Sequence, residues 1–513
     1  MRKAITYRFI IQLILIVLFM LYAVLVFSQP KKNNNSTKLP NIIYIYADDL
    51  GYGELGCYGQ QKIKTPNLDR MAKEGMRFTQ HYSSAPVCAP SRAMLMTGKH
   101  GGHAYIRGNY ELGGFEDSTE GGQMPLPEGT FTIPKMLKNA GYTTAMSGKW
   151  GLGMPGTTGD PLLQGFDYYY GLLDQKQAHN FYPTHLWENG KWDTLNNHVI
   201  RVHQRLDSTN ASDADFEYYK GKDYAITKMT EKALGFMDRN KSKPFFLYLS
   251  YMLPHLSLQA PDEYVKKYRG QFDEKPYYGQ LGYAATQYPF STYAAMITYL
   301  DDQVGIIMQK IKEMGQDKNT IIMFSSDNGA TFHGGVDTKF FNSVGGLRGL
   351  KMDLYEGGIR VPFIARWPGT IPAGKTSGHV SIQFDLLATL SELTGQTIPN
   401  KTDGISFLAE LKGNTTTQRK HDYIYFEYPE NGGQVAIRSG DWKAVRTNVR
   451  KDPKAPWQIF NLRNDRSETT DIAGKHPDLV RQFDIIQKNE HQHSHIREWE
   501  FIDPKFNVKN SGE

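Results

Sequence analysis

From residue 40 onward the chain alternates short, β-rich apolar runs with helical patterns, and this alternation restricts its fold more than any other feature. Strands that are apolar on both faces need helices on both sides, so the pattern predicts an α/β domain with a large, mostly parallel sheet flanked by helices. The segment 41–47 (NIIYIYA) reads as a buried strand, and Thr65-Pro66 opens a helix with threonine as its cap and proline at its first position. Further strands are expected over 142–147, 244–250 and 320–326, and helices over 133–139, 224–239, 293–314 and 384–393. Each strand runs into polar residues. Ligands of open α/β sheets bind beyond the carboxyl ends of strands, so those polar residues mark the candidate site.

After Gly395 the pattern changes to short runs over 423–428, 434–438, 442–446 and 457–462, then a helix over 477–488. It predicts a small antiparallel sheet plus helix, with a boundary near Thr415: an α/β domain over 40–415 and a small α+β domain over 416–513. The stretch 152–216 is glycine-rich, aromatic and irregular, and reads as a surface-building insertion at the substrate rim rather than core.

The first 28 residues pair a basic start with an apolar run over 9–27, and Val26-Phe27-Ser28 is acceptable before cleavage, as in an export signal. An uncleaved anchor is the alternative, since the run approaches the roughly 20 residues that span a bilayer. Residues 29–39 form a polar linker. The protein is therefore expected to be exported, periplasmic or secreted, with the export machinery as a partner. Removing Arg2, Lys3 and Arg8 takes the net charge from +6 to +3, which does not suggest a nucleic-acid partner. The two cysteines, Cys57 and Cys88, allow at most one disulfide, so bridges are not the main source of stability.

Asp48-Asp49 directly follows a strand, and adjacent carboxylates repel unless a cation or strong donors hold them. Asp327-Asn328-Gly329 follows another strand in the same way. Together they supply the all-oxygen shell that Ca²⁺ or Mg²⁺ prefers, although each alone is also a plain turn sequence. The segment Cys88-Ala89-Pro90-Ser91-Arg92, with Thr97-Gly98 after it, places Pro90 to start a helix whose N-terminus would face an anion. The plainer alternative is a buried cysteine before a helix.

These motifs resemble the type I, formylglycine-dependent sulfatase family of the alkaline phosphatase-like superfamily. The resemblance rests on Cys88-x-Pro-Ser-Arg92, Asp48-Asp49-Leu-Gly-Tyr-Gly, Gly148-Lys149-Trp150, Pro254-His255, Asp327-Asn328-Gly329, Leu347-Arg-Gly-Leu-Lys351 and Tyr355-Glu-Gly-Gly-Ile-Arg-Val-Pro362, in that family's order. Ser439-Gly-Asp-Trp-Lys443 and Trp457-Gln-Ile-Phe-Asn-Leu462 resemble its small second domain. The resemblance implies that a maturation enzyme oxidises Cys88 to formylglycine, whose hydrate attacks sulfur. It also implies that Asp48, Asp49, Asp327 and Asn328, with the modified Cys88, bind Ca²⁺ in preference to Mg²⁺. Arg92, Lys149 and Lys351 would neutralise the sulfate, and His255 would protonate the departing oxygen. Many relatives have histidine where this chain has Gly151, so the usual base for releasing sulfate is missing. His100 and His103, just downstream of the nucleophile, are the expected replacements. His333, Asp337 and Asn342 are expected substrate contacts, whereas His491-Gln-His-Ser-His495 reads as a solvated face. The implied function is hydrolysis of an O-sulfate ester on a sulfated carbohydrate. The alternatives are a phosphodiester or phosphonate hydrolase of the same superfamily, and an inactive sulfated-glycan binding protein.

Overall fold

All seven residues of β1 (Asn41–Ala47) are buried, as a strand of isoleucine, tyrosine and alanine is only when paired on both edges and covered on both faces. The structure, a computed structural model, describes residues 39–503, 505 and 506, with 5, 13–17 and 20 near the start. The apolar run's remaining residues, the cleavage point and the linker up to residue 38 lie outside the described residues. The compact unit that carries the sheet begins at Pro40.

The other strands of the large sheet are β2 (Met76–Tyr82), β3 (Thr143–Lys149), β4 (Tyr168–Leu172), β5 (His185–Glu188), β6 (Lys191–Thr194), β7 (Phe245–Ser250), β8 (Thr320–Ser326), β9 (Arg360–Arg366) and β10 (Lys375–Ile382). Their order is β10-β2-β9-β8-β1-β7-β3-β4-β5-β6. Only β9 and β5 run against the common direction, so the sheet is mostly parallel. Helices Ile133–Asn139, Ala225–Arg239, Pro289–Glu313 and Asp385–Thr394 cover it close to the expected positions. A second sheet joins β11 (Ile424–Tyr428), β12 (Gln434–Ser439), β13 (Trp442–Arg446) and β14 (Gln458–Asn461), all antiparallel, with helix Pro477–Glu490 after it.

Two expectations need correction. Residues 152–216 are not mainly a surface insertion, because they contribute β4, β5 and β6 and extend the large sheet from β3. Their Tyr169, Tyr170, Leu172 and Phe181 are core residues, and interspersed glycines hid the pattern. Thr65 precedes helix Pro66–Glu74 but makes no side-chain cap. Its hydroxyl instead accepts from Gly56 N at 2.8 Å, tying the helix to the turn after β1.

Candidate active site

β1, β3, β7 and β8 are parallel neighbours, so chain direction alone delivers Asp48-Asp49, Lys149, His255 and Asp327-Asn328 to one edge of the sheet. Cys88 enters from the side as the first residue of helix Cys88–Thr97, after the extended Val87. Pro90 therefore lies inside the first turn instead of starting it, where its missing N–H leaves no hydrogen bond unmade. Ser91 and Tyr46 both bond Gln383 Oε1, at 2.9 and 2.6 Å, and fix this helix to β1.

The converging groups are buried, with Asp48, Asp49, Arg92, Asp327 and Asn328 all at 0 % exposure. Lys149 Nζ reaches Asp48 Oδ2 at 2.7 Å, and Arg92 bridges Asp48 and Asp327 at 3.3 and 2.8 Å. Lys351 Nζ lies 2.9 Å from Asp49 and 3.7 Å from Cys88 Sγ, which is itself 3.5 Å from Asp48 Oδ1. His255 donates through Nδ1 to its neighbour's carbonyl at 2.6 Å and turns Nε2 to within 3.7 Å of Asp49. Burial opposes ionisation of Asp48, but Lys149, His255, Arg92 and Lys351 overcome it and hold the carboxyl far below its usual range. Burial, and then Asp48 beside it, push Asp327 up to about 7. Burial and Asp48 also push the Cys88 thiol up, and burial with Lys351 brings His255 down to about 4.

The donor set fits a hard divalent cation. Asn328 donates Nδ2 to Asp49 at 2.7 Å, yet its buried Oδ1 has no partner among the described residues. Three buried carboxylates crowd the same volume, and a cation between them would relieve the repulsion that raises Asp327. One oxygen each from Asp48 and Asp49, Cys88 Sγ and one His255 nitrogen all fall within 4.8 Å of one another.

The two histidines expected to replace the missing base lie elsewhere. Asp403, which both contact, is hydrogen-bonded through its N–H to Gly98 O, at the far end of the ten-residue helix that begins with Cys88. At 1.5 Å per residue that end is about 15 Å away. His100 Nδ1 accepts from Gly102 N, so its proton is on Nε2 and is donated to Glu490 at 2.9 Å. His103 bonds Asp403 at 3.0 Å and stacks on His100. This pair fastens the loop after the helix to the end of helix Pro477–Glu490. Among the expected substrate contacts, His333 is half-buried and senses Lys351 and Asp49. Asp337 is exposed and accepts from Lys339 N and Phe340 N in its own turn, and Asn342 is an exposed left-handed turn residue. Of the run expected as a solvated face, Gln492 and His493 are exposed, whereas His491, Ser494 and His495 are not. His491 pairs with Glu427 and Glu500 at 2.9 and 3.1 Å, while His493 stacks on Phe506 and His495 on Tyr105.

One neighbour escaped the sequence entirely. The ring of His179 stacks on that of His255, 5.1 Å between centroids, with His203 and Tyr283 around it. No motif surrounds it, since its segment joins the site only through the fold.

The Sulfatase family pattern matches residues 40–396, and that of N-sulphoglucosamine sulphohydrolase, C-terminal, matches residues 350–495. The N-acetylgalactosamine-6-O-sulfatase of Bacteroides thetaiotaomicron is 30% identical over 88% of this chain and 93% of its own length. Arylsulfatase A of Homo sapiens is 33% identical over 87% of each chain. The crystal structure of Ps i-CgsB in complex with k-i-k-neocarrahexaose is 29% identical, covers 92% of this chain and 96% of its own, and superposes with a TM-score of 0.70. The Agrobacterium radiobacter phosphonate monoester hydrolase shares the fold, with a TM-score of 0.62 at 19% identity over 88% of this chain and 95% of its own. With the family pattern running through most of the large sheet and through every motif at its carboxyl edge, the chain belongs to the sulfatase family of the alkaline phosphatase-like superfamily, enzymes that hydrolyse sulfuric esters.

Proposed function

We propose that this sulfatase is exported and removes an O-sulfate from a carbohydrate, with Cys88 oxidised to formylglycine and Ca²⁺ held by Asp48, Asp49, Asp327 and Asn328. The observation that carries the reading is the convergence of Lys149, Arg92, Lys351 and an oxygen-only donor set on a buried Cys88 at a helix start. Once present, the metal would polarise a sulfate oxygen and the formylglycine would supply the attacking oxygen. Arg92 is committed to Asp48, Asp327, Ser250 and the Lys149 carbonyl, so its part is to hold the carboxylates in place. Lys351, within reach of both Asp49 and Cys88, stands where negative charge collects on the sulfate, in surroundings that screen poorly. His255, its Nδ1 proton fixed on a carbonyl, leaves Nε2 facing Asp49, and Nε2 must first take up a second proton before it can hand one to the departing sugar oxygen. Carbohydrate as substrate is supported by the names of the relatives: an N-acetylgalactosamine-6-O-sulfatase, and a protein crystallised in complex with k-i-k-neocarrahexaose. Export rests on the basic and apolar start of the sequence.

Peptide mass spectrometry of protein made beside a formylglycine-generating enzyme should show Cys88 converted from thiol to aldehyde. The same protein should cleave an aryl sulfate and a sulfated sugar faster than an aryl phosphonate, and Cys88→Ala should fold but lose turnover. Retention of the thiol in a host that converts a control sulfatase, or a preference for the phosphonate, would refute the reading. Recovery of the exported protein without its first 28 residues tests the leader, and a membrane-held full-length chain would overturn it.

A further inference from the structure

Where the sulfatase motif around Lys149 has its histidine, this chain has Gly151 in a left-handed conformation, with the Gln175 side chain in the space a Cβ would take. Gly151 has φ +73°, and a Cβ there would meet Gln175 Cγ at 2.9 Å and Nε2 at 3.0 Å. The segment that fills this space with Gln175 continues four residues to His179, which it lays against His255. The two loops are also joined through the backbone, Ser257 N donating to His179 O at 3.2 Å.

The tautomer of His179 follows from its partners. His203 Nδ1 faces the Gly282 carbonyl, which only accepts, so that nitrogen carries the proton and His203 Nε2 has a lone pair. His203 Nε2 lies 3.1 Å from His179 Nδ1, which must therefore donate. The proton of neutral His179 is thus spent on Nδ1, and its Nε2 holds a lone pair with no protein hydrogen bond among the described residues. A carbonyl orienting one imidazole through another is the same logic by which outer groups set the tautomer of catalytic and metal-bound histidines.

We propose that His179 is the proton acceptor that replaces the absent histidine, and that His203 is its positioning residue. The assignment rests on the formylglycine reading above. As sulfate is released, the O–H bond of the hydroxyl remaining on the nucleophile carbon breaks and its proton goes to His179 Nε2. The freed electron pair becomes the carbonyl π bond, and the carbon–oxygen bond to sulfate breaks with its pair leaving on sulfate. Burial, His255, His203, Lys149 and Lys351 hold His179 neutral, as a base must be. A bound sulfate brings the negative charge that strengthens that base.

The test compares wild type, His179→Ala and His203→Gln, all produced beside the maturation enzyme, with the Cys88 peptide mass and thermal unfolding of each recorded. With an aryl sulfate, His179→Ala should lose about 100-fold or more in kcat, and KM should fall with it, because breakdown of the sulfated intermediate then limits turnover. It should accumulate a Cys88 peptide heavier by one SO₃ group, and added imidazole should restore part of its rate. His203→Gln should lose about 10- to 100-fold in kcat without responding to imidazole. Should His179→Ala not fold, His179→Gln, which keeps a donor toward His203 but has no imidazole lone pair, carries the same test. A His179 variant within about threefold of wild-type kcat, or one impaired without a sulfated peptide or imidazole response, overturns the assignment. A wild type whose Cys88 remains a thiol overturns the formylglycine reading and this assignment with it, whereas an active wild type beside an unimpaired variant overturns the assignment alone.

Discussion

Lys443→Met should expose how the small sheet is held to the large one. Lys443, on β13 and fully buried, pairs with Glu356 at 3.0 Å and Glu468 at 2.9 Å. Glu356 also accepts from Arg360 at 3.1 Å and from Tyr82 at 2.8 Å, and Arg438 of β12 bonds the same tyrosine. Against the cost of burial, Lys443, Arg360 and Arg438 hold Glu356 down at about 2, whereas burial with Glu356 nearby pushes Glu468 up to about 7 in spite of Lys443. Removing one partner of a buried ion pair costs about 3–5 kcal/mol, because the partner charge stays buried. For a unit of roughly 470 residues the unfolding entropy is near 1 kcal/mol/K, so the melting temperature should fall by about 3–5 °C.

The sign of the pH dependence follows from Glu468. A carboxyl with a raised folded pKa binds more protons folded than unfolded, so its contribution to stability falls as pH rises from the unfolded value, near 4.3, to the folded one. Without Lys443 the folded value climbs above about 7, and the deficit widens with pH by up to about 1.4 kcal/mol per unit. Calorimetry at about pH 5.5 and 8.5 should therefore find the larger loss at the higher pH, and Glu468→Gln added to Lys443→Met should recover part of it. Equal losses at both pH values would refute the reasoning.

Asn328→Ala should raise the Ca²⁺ concentration needed for stabilisation by about tenfold or more; in wild type, Ca²⁺ at about a hundred times its Kd should add about 2.7 kcal/mol, read as a thermal shift. His491 should contribute a pH-dependent increment of at most about 2 kcal/mol after solvent screening, because hydrogen bonds to Glu427 and Glu500 outweigh burial and raise it to about 9. That increment should be fully present below about pH 6.5 and lost through pH 9, and His491→Gln should flatten this part of a stability–pH curve.

The sequence by itself determined the parallel core and most of the chemistry at its edge. Runs such as NIIYIYA can be buried on both faces only in a sheet flanked by helices, and the motif residues fall directly after those strands, so chain direction carries them to one place. Only the tertiary structure decided what depends on contacts between distant segments. The edge strands β4 to β6 are short, and β5 and β6 pair through tryptophan and charged side chains instead of a continuous apolar run, so local pattern did not reveal them. His100 and His103 are near Cys88 in sequence, yet an intervening helix carries them away from it. His179 is 91 residues beyond Cys88 in the numbering, and it reaches the site because its segment packs over Gly151 and bonds to the loop of His255. Spacing along the chain reports neighbours only within one helix or strand; across elements, packing sets the distances that proton transfer and ion pairing require.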